Sequence, residues 1–321
     1  MSTRMNSDLI YTNGNKENVL ISFVIPTYKR AQYLFDAIDS ILAQPFDNEI
    51  NYEIIIINND PESCMTDVIE RYKDQKISIY RNEMNYGQVN NINQGILLAK
   101  GKYVSLLHDD DILLENYYPS IKKYIIGEKE YQCLIPSYYE FDKKYHFGWK
   151  FKFVRIVFFF RYFYRKDLKR IKENDDIYTL RDVFNAPTCG TLFLRECLIR
   201  NGLFEDKYGA AWDRYNYRKL VTIMEIFLIH TYIGGKRLYT GMTNNERVQK
   251  EFHLYLNCMK KECEADKKLL KYANYLHVDK KNAAYYWTRI KGETYYYLHN
   301  LDSRRPMTYI EFRKVRKKYN I

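Results

Sequence analysis

Signatures of several protein classes are absent from this chain of 321 residues. Its six cysteines form no CxxC pair and its six histidines form no HxxxH or Cys/His cluster, which argues against a disulfide framework and a zinc site. Neither GxGxxG nor GxxxxGK[ST] occurs, so a dinucleotide-binding fold and a P-loop are not indicated. No uncharged run reaches the roughly 18 residues that a membrane-spanning helix needs. Scattered thiols indicate a reduced, cytoplasmic protein.

Charge and apolar content are both informative. Hydrophobic residues make up 46% of the chain, which is enough for a packed core. The net charge is +11, and residues 143–172 hold eleven Lys or Arg against one acid, Asp167. This basic segment indicates an anionic surface as partner. Residues 1–19 are polar, so we expect a disordered tail there and not a signal peptide.

Apolar strands and amphipathic helices alternate from residue 20 to residue 118. This order, with short loops, predicts a doubly wound and mostly parallel α/β sheet, which binds ligands at the carboxyl ends of its strands. The predicted strands are 20–25, 52–57, 77–80 and 103–107, and the predicted helices between them are 31–43, 65–73 and 89–99.

Polar residues follow three of these strands, at Thr27-Tyr28, at residues 58–60 and at residues 109–111. The last cluster is three adjacent aspartates. Because like charges packed together repel, such a cluster needs a compensating cation. Carboxylates suit Mg²⁺ or Mn²⁺, which usually also hold substrate phosphates. The alternative is a solvated acidic loop that caps a helix beginning near Leu113.

These residues together resemble the inverting family 2 glycosyltransferases, which have the GT-A nucleotide-sugar-binding fold. The resemblance is carried by five motifs in the family's order: Val24 to Arg30, Asn58-Asn59-Asp60, Asn85-Tyr86-Gly87, Asn93-Gln94-Gly95 and Gly101 to Asp111. It covers residues 20 to about 118 well, and a weaker part runs from about 186 to 245.

The resemblance implies a donor site and a metal site, with Mg²⁺ or Mn²⁺ as cofactor. Asp110 is the implied metal ligand, with Asp111 supporting it or capping a helix. Asp109 would touch the ribose or a metal-bound water. The other residues implied in nucleotide-sugar binding are Pro26, Thr27, Tyr28, Arg30, Asn58, Asn59, Asp60 and Asn93.

Four positions depart from the family's pattern. His108 replaces the first aspartate of the metal motif, Asn59 a base-reading aspartate, Ile92 an arginine, and Met242 a histidine that often helps to bind the metal. An amide oxygen can still accept a hydrogen bond from a pyrimidine N–H, so uracil or thymine remains a suitable base. The departures motivate an alternative: a catalytically weak or inactive nucleotide-sugar-binding or scaffold protein of the same fold.

The acceptor side is implied by a second, weaker part of the resemblance. Gly202-Leu203-Phe204 followed by Ala211-Trp212-Asp213 matches a family stretch whose aspartate is the general base. Asp213 would take the proton of the acceptor hydroxyl, and the alternative is a helix N-cap. Trp212 either stacks on a sugar or packs in the core. Thr188 lies in a Gly-containing loop that we expect to shape the acceptor site.

The basic segment is also unusually aromatic. On a helix, Phe153, Phe160 and Leu168 share one side and Arg155, Arg161 and Lys169 the other. The pattern suits a helix lying on a membrane surface, and also a core helix with a solvated basic face. The segment lacks a nucleic-acid recognition motif, which makes that partner the least favoured.

The sequence therefore predicts a GT-A domain over residues 20–245, with a donor half at 20–118 and an acceptor half at 119–245. A helical extension is predicted over 246–321, with helices near 247–273, 279–300 and 307–319. The predicted activity is metal-dependent, inverting transfer of a hexose from a UDP or dTDP sugar to a glycan hydroxyl. The acceptor would be lipid-linked, in surface polysaccharide assembly, with the enzyme peripheral on the inner face of the cell membrane.

Overall fold

The computed structural model describes most of the first 237 residues and parts of the C-terminal region. The described residues are 5–14, 17–48, 50–141, 168–171, 188–237, 248, 250, 251, 254, 284–290, 293–300 and 303–307. The helices are α1 (Ala31–Leu42), α2 (Thr66–Tyr72), α3 (Gln88–Leu98), α4 (Tyr117–Ile125), α5 (Arg195–Arg200) and α6 (Trp212–Ile223), with a 3₁₀ turn at Gly209–Ala211.

Thirteen strands form two sheets within this part of the chain. The strands of the large sheet are β1 (Ser7–Thr12), β2 (Ile21–Thr27), β3 (Tyr52–Asn58), β4 (Ile77–Asn82), β5 (Tyr103–Leu106), β6 (Ile112–Leu113), β7 (Cys133–Phe141), β8 (Leu168–Ile171), β9 (Thr191–Leu194) and β10 (Ile226–Arg237). The small sheet contains β11 (Ala284–Ile290), β12 (Glu293–Asn300) and β13 (Ser303–Met307).

The large sheet has the order β1-β4-β3-β2-β5-β9-β7-β10-β6, with β8 paired to β10. Strands β4, β3, β2 and β5 are parallel neighbours, and β7 is parallel to β10. Strands β1, β6, β8 and β9 run antiparallel to their partners. The predicted α/β sheet with mostly parallel central strands is confirmed.

Helices cover both faces of the sheet and produce two hydrophobic cores. Apolar side chains of α1, α2 and α4 pack in one core, and those of α3, α5 and α6 pack in the other. All seven residues of β2 are buried, as expected for a central strand covered on both faces. At Gly95 in α3, a Cβ atom would lie 2.4 Å from Val24 Cγ1, so only glycine permits this close packing of helix on strand.

Three predictions of local structure are wrong. Residues 7–12 of the supposed disordered tail form β1, an edge strand that pairs antiparallel with β4. Residues 168–171, predicted as the end of an aromatic helix, form β8. Residues 284–290 and 293–300 form two strands where the sequence predicted a helix over 279–300.

The other residues of the basic aromatic segment 143–172 lie outside the described part of the chain, as does Met242. Among the helices that the structure describes, none combines the length and the apolar character needed to cross a membrane.

Candidate active site

The loop between β5 and β6 carries three adjacent carboxylates, and all of them are buried. Asp109 is 5% exposed, Asp110 9% and Asp111 4%. The alternative of a solvated acidic loop is therefore wrong. Buried carboxylates this close to one another need hydrogen-bond donors or cations to compensate their charge. Their partners therefore determine what the loop can bind.

Two of the three carboxylates accept hydrogen bonds from neighbouring strands. Thr27 Oγ1, at the end of β2, donates to Asp109 Oδ2 at 2.8 Å. The backbone N–H of Arg237, at the end of β10, donates to Asp111 Oδ1 at 3.0 Å. Burial raises the pKa of Asp109 to about 6. Burial, together with the charge of Asp110, also raises the pKa of Asp111.

The third carboxylate, that of Asp110, is paired with Arg30. The Arg30 Nη1 atom lies 2.9 Å from Asp110 Oδ2 and 3.6 Å from Asp109 Oδ1. Arg30 is the N-cap residue of α1 and follows Lys29, whose φ of +56° lies in the left-handed region. Non-glycine residues rarely adopt this region, and those that do cluster at functional sites.

Arg237 is a contributor to this site that sequence reasoning missed. Its Nε atom donates to the backbone carbonyl of Asp110 at 3.0 Å, and its Nη2 atom donates to Asp36 Oδ2 at 2.6 Å. Pairing of Gly235 in β10 with Ile112 in β6 brings the end of β10 to the acidic loop. That pairing joins segments more than 100 residues apart in the sequence. The only local signal for the contribution of Arg237 was the pair of adjacent basic residues, Lys236 and Arg237, at the end of a strand.

Lys236, the residue before Arg237, is also close to this site. Its positive charge lowers the pKa of Asp111 and of Asp213, against the effect of burial on both carboxyls. The ammonium group is therefore close enough to influence the acidic loop and the start of α6 together. Within the described residues, no carboxylate forms an ion pair with Lys236 at 4.0 Å or less.

Asp213 is the second residue of α6, which begins beside the acidic loop. The N-cap of α6 is Ala211, so the prediction's alternative of Asp213 as an N-cap is wrong. Burial raises the pKa of Asp213, although the Arg214 N–H donates to its Oδ1 atom at 2.7 Å. The charges of Asp213 and Asp110 both act on His108, whose pKa burial lowers. His108 therefore lies within electrostatic reach of both carboxylates.

The two residues predicted on the acceptor side are buried. Trp212 is 2% exposed, with its ring centroid 5.2 Å from that of Phe204 and 6.4 Å from that of His108. Stacking of Trp212 on a sugar is therefore wrong, and the packing alternative holds. Thr188 is also 2% exposed, and its hydroxyl has no hydrogen-bond partner among the residues that the structure describes. Its role in acceptor binding stays a prediction.

At the end of β3, the side chain of Asn59 holds the turn that precedes α3. Its Oδ1 atom accepts from Asn82 Nδ2 at 2.8 Å and from the Tyr86 N–H at 3.0 Å. Its Nδ2 atom donates to Asn85 Oδ1 at 2.7 Å and to the Gly87 carbonyl at 3.3 Å. Because all four hydrogen-bonding positions of the amide are used, base reading by Asn59 would require these bonds to rearrange.

The remaining predicted donor residues divide into buried and accessible ones. Pro26 lies inside β2 and is buried. The Asn58 side chain bonds to the loop that follows it, where its Oδ1 atom accepts a hydrogen bond from the Asp60 N–H at 3.0 Å. Tyr28 is 42% exposed and Asp60 is partly exposed, next to the carboxyl ends of β2 and β3. Tyr28 and Asp60 are therefore the accessible groups at this edge.

Asn93 links α3 to the Gly202-Leu203-Phe204 stretch. Its Nδ2 atom donates to the Phe204 carbonyl at 2.8 Å, and its Oδ1 atom accepts from the Phe204 N–H at 3.1 Å. This pair of bonds joins the donor half to the segment that leads into α6. The contact gives Asn93 a positioning role, and its predicted contact with the donor stays a prediction.

Glu251 lies beyond the predicted domain boundary at residue 245 and contacts the segment that leads into α6. Glu251 Oε2 accepts from the Ala210 N–H at 2.8 Å, two residues before α6 begins. A Cβ atom at Gly209 would lie 2.5 Å from the same oxygen, so glycine leaves the space that this carboxylate fills. Glu251 therefore helps to fix the approach to Asp213.

Replacing Asn59 by aspartate is expected to destabilise the protein by about 1–3 kcal/mol. A carboxylate keeps the two accepted bonds, but it faces the Asn85 oxygen and the Gly87 carbonyl with no hydrogen to donate, and buried unpaired acceptors cost about this much. Urea denaturation measures the loss. The matched control is Asn90→Asp on the exposed side of α3, which we expect to change stability by about 0.5 kcal/mol at most. Equal stability of the two variants would contradict the role of the amide.

A divalent cation fits this site through few protein ligands. Among the described residues, no three His, Cys, Asp or Glu side chains gather around one point. Mg²⁺ is usually bound by one or two carboxylates plus substrate phosphates and waters. Asp110 satisfies that requirement, since its carboxylate follows the carboxyl end of β5 and is paired with the Arg30 side chain. These few protein ligands suit a cation that is also bound by a diphosphate.

The sequence is similar to that of known glycosyltransferases. Residues 22–198 match the model of glycosyl transferase family 2, which is more than half of the chain. Glycosyltransferase GlyG of Streptococcus pneumoniae is 29% identical over 126 residues, covering 39% of this chain and 40% of GlyG. WcaA of Escherichia coli K12, named as a glycosyl transferase of colanic acid biosynthesis, is 35% identical over 98 residues, covering 30% of this chain and 34% of WcaA. The chain thus spans less than half of either relative.

Solved structures show the same fold at low identity. Staphylococcus aureus TarS 1–349 in complex with UDP-GlcNAc superposes with a TM-score of 0.56 at 11% identity, covering 90% of this chain and 99% of that one. The mannosyltransferase PcManGT from Pyrobaculum calidifontis, in complex with GDP-Man and Mn²⁺, gives a TM-score of 0.55 at 14% identity, covering 82% and 71%. The GT-A fold predicted from the sequence is confirmed. This chain belongs to glycosyl transferase family 2.

Proposed function

We propose that this protein is an inverting glycosyltransferase that moves a hexose from a UDP or dTDP sugar to a glycan hydroxyl. One observation carries the proposal: Arg30 pairs with the buried carboxylates at the end of β5, and the ring of Trp212, the residue before Asp213, lies with its centroid 6.4 Å from that of His108 beside them. Charged groups that can hold a diphosphate and a carboxylate that can accept a proton thus meet at one edge of the sheet, where α/β proteins bind ligands.

Asp213 acts as the general base. Its carboxylate takes the proton of the acceptor hydroxyl while that oxygen attacks the anomeric carbon. In the same step the bond from the anomeric carbon to the diphosphate oxygen breaks, and the bonding pair leaves with the nucleotide. A single displacement inverts the configuration of the anomeric carbon.

Basic side chains compensate the charge of the leaving group. Arg30 follows β2 and pairs with Asp110, and Lys236 lies next to the end of β10, which pairs with β6 after the acidic loop. Positive charges placed next to developing negative charge lower the barrier. A bound Mg²⁺ or Mn²⁺ at Asp110, supported by Asp111, would add Lewis-acid stabilisation of the diphosphate. Asp109, oriented by Thr27, would contact the ribose or a metal-bound water.

The acceptor in this proposal is a lipid-linked glycan of surface polysaccharide assembly. The relation to WcaA supports this class of product. The eleven basic residues of segment 143–172 favour contact with an anionic membrane surface, which would bring a lipid-linked acceptor to the enzyme. Flotation with vesicles of anionic lipid, and competition by DNA, separates membrane binding from nucleic-acid binding.

The activity is tested by incubating the protein with a panel of nucleoside diphosphate sugars and Mn²⁺ and measuring nucleotide release. Slow release from one UDP or dTDP sugar is expected even without acceptor, because water can replace the glycan hydroxyl. If no sugar nucleotide is consumed while one binds, the chain is the inactive binding protein that His108 and Asn59 suggest.

The rate of transfer is expected to fall as the solution becomes acidic, with an apparent pKa above the ordinary aspartate value of 3.8. The base works only as a carboxylate, and burial raises the pKa of Asp213. Protonation therefore removes activity as pH falls through the raised pKa. The measurement is kcat/KM against pH for the folded enzyme. A profile that stays flat down to about pH 4, near the reference pKa of aspartate, would contradict the role of Asp213.

A further inference from the structure

Arg30 occupies the carboxylate that a divalent cation would use. The Arg30 Nη1 atom donates to Asp110 Oδ2 at 2.9 Å, within an ion pair whose side chains are 29% and 12% exposed. Asp109 accepts a hydrogen bond from Thr27 and lies farther from Arg30, with Nη1 3.6 Å from its Oδ1 atom, and Asp111 accepts a hydrogen bond from the Arg237 N–H. Among these three acids, Asp110 is therefore the one with the shortest contact to Arg30.

We propose that Arg30 competes with the divalent cation for Asp110, so that the free enzyme binds the metal weakly until a diphosphate draws Arg30 away. This inference rests on the proposed function, because it takes Asp110 as the metal ligand. It adds an order to the binding events: the diphosphate and the metal enter together, and the metal alone is resisted.

The competition follows from charge and geometry. A metal ion and a guanidinium group carry like charges, and both need the same Asp110 oxygen. A charge-assisted hydrogen bond lost on metal binding corresponds to a roughly ten- to hundredfold weaker metal affinity. Arginine pairs as readily with phosphate as with carboxylate, frequently through two parallel hydrogen bonds. A diphosphate therefore offers Arg30 a partner that leaves the Asp110 oxygen available.

The backbone next to Arg30 favours this exchange. Arg30 lies between the left-handed residue Lys29 and the start of α1, at the carboxyl end of β2. Its side chain is partly exposed, and the only described acids at 4.0 Å or less from it are Asp109 and Asp110. Among the described residues, rotation of the side chain toward the cleft breaks no side-chain ion pair other than those with Asp109 and Asp110.

The competition also makes the two ligands cooperative. If the diphosphate displaces Arg30 from Asp110, each ligand raises the affinity of the other by the same factor. Direct contact between the metal and the phosphate contributes to that factor in any variant. The contribution of Arg30 to this cooperativity is the difference between the factor in the unaltered protein and the factor in a variant without a charge at residue 30.

The test measures Mn²⁺ binding alone, without donor, acceptor or phosphate, by calorimetry or by the electron paramagnetic resonance signal of free Mn²⁺. The variants Arg30→Met and Arg30→Gln are expected to bind Mn²⁺ at least about tenfold more tightly than the unaltered protein. The matched control is Arg71→Met, which removes an exposed arginine paired with Asp39 on the other side of α1. The control is expected to bind Mn²⁺ like the unaltered protein.

A further variant assigns any gain to the correct carboxylate. The double variant with Arg30→Met and Asp110→Asn is expected to lose the gained affinity. The proposal is overturned if neither Arg30 variant binds Mn²⁺ more tightly than the unaltered protein, or if the gain persists without the Asp110 carboxylate. Because no sugar nucleotide is used, a gain in affinity together with absent transfer would reject the proposed activity and leave the competition intact.

Discussion

Asp213→Asn is expected to lower the rate of sugar transfer by about a thousandfold, because general-base catalysis contributes 10²–10⁴ in rate. Asparagine has nearly the same shape and can still accept the Arg214 N–H, but it cannot take a proton from the acceptor. Binding of the nucleotide is expected to stay unchanged, since Asp213 acts on the acceptor hydroxyl. Steady-state transfer, with nucleotide affinity measured separately, checks both statements.

The control for this variant is Asp67→Asn. Asp67 is the exposed second residue of α2, the same helix position that Asp213 has in α6. Both substitutions remove a negative charge near the positive end of a helix, an effect of about 0.3–1 kcal/mol on stability. Only loss of a base explains a large fall in rate confined to Asp213→Asn. A rate within a few-fold of the unaltered enzyme would remove Asp213 from the mechanism.

Asp110→Asn is expected to lower transfer by about a hundred- to a thousandfold, the usual effect of removing one preorganised electrostatic contact to the reacting groups. The substitution removes the implied metal ligand and the partner of Arg30 in one step. Excess Mn²⁺ is not expected to restore the rate, because the amide oxygen lacks the negative charge with which the carboxylate attracts the cation. Transfer measured over a Mn²⁺ titration is the appropriate assay.

Asp74→Asn, on an exposed position after α2, is the charge-matched control for that substitution. It is expected to retain full transfer and the same Mn²⁺ dependence. Full activity of Asp110→Asn, with an unchanged Mn²⁺ requirement, would show that the cation binds elsewhere.

The central strands of the fold could be predicted because they are covered on both faces. The predicted strand 52–57 contains four successive isoleucines at 54–57, and the structure buries all four. The polar ends of β2, β3 and β5 could likewise be located by the residues that follow each run. Parallel strands bring their carboxyl ends to one edge, so the neighbourhood of Thr27 and Asp109 was predictable from topology alone.

Edge strands, and pairings between residues far apart in the sequence, were harder to predict. Strand β1 has no fully buried residue, so its sequence resembles a polar tail, and only pairing with β4 makes it a strand. Residues 284–300 contain several tyrosines, which suit a strand as well as one face of a helix. The apolar spacing there led to a helix prediction, and strands β11 and β12 contradict it.

Within the site, the sequence predicted which residues meet, but less of how they bond. Asn59 was predicted to read a base, yet its amide is fully used by Asn82 and the turn before α3. Trp212 was open between stacking and packing, and its burial against Phe204 decides for packing. Such outcomes depend on side-chain partners that lie far apart in the sequence and carry no local pattern.

The most direct test of the account is a crystal structure of the protein grown with Mn²⁺ and UDP, using the anomalous signal of manganese to locate the metal. We predict one manganese peak between the Asp110 carboxylate and the diphosphate, the Arg30 side chain moved from Asp110 to a phosphate oxygen, and Asp213 facing the same cleft. A nucleotide bound away from the ends of β2, β3 and β5, or manganese bound without contact to Asp110, would contradict the account.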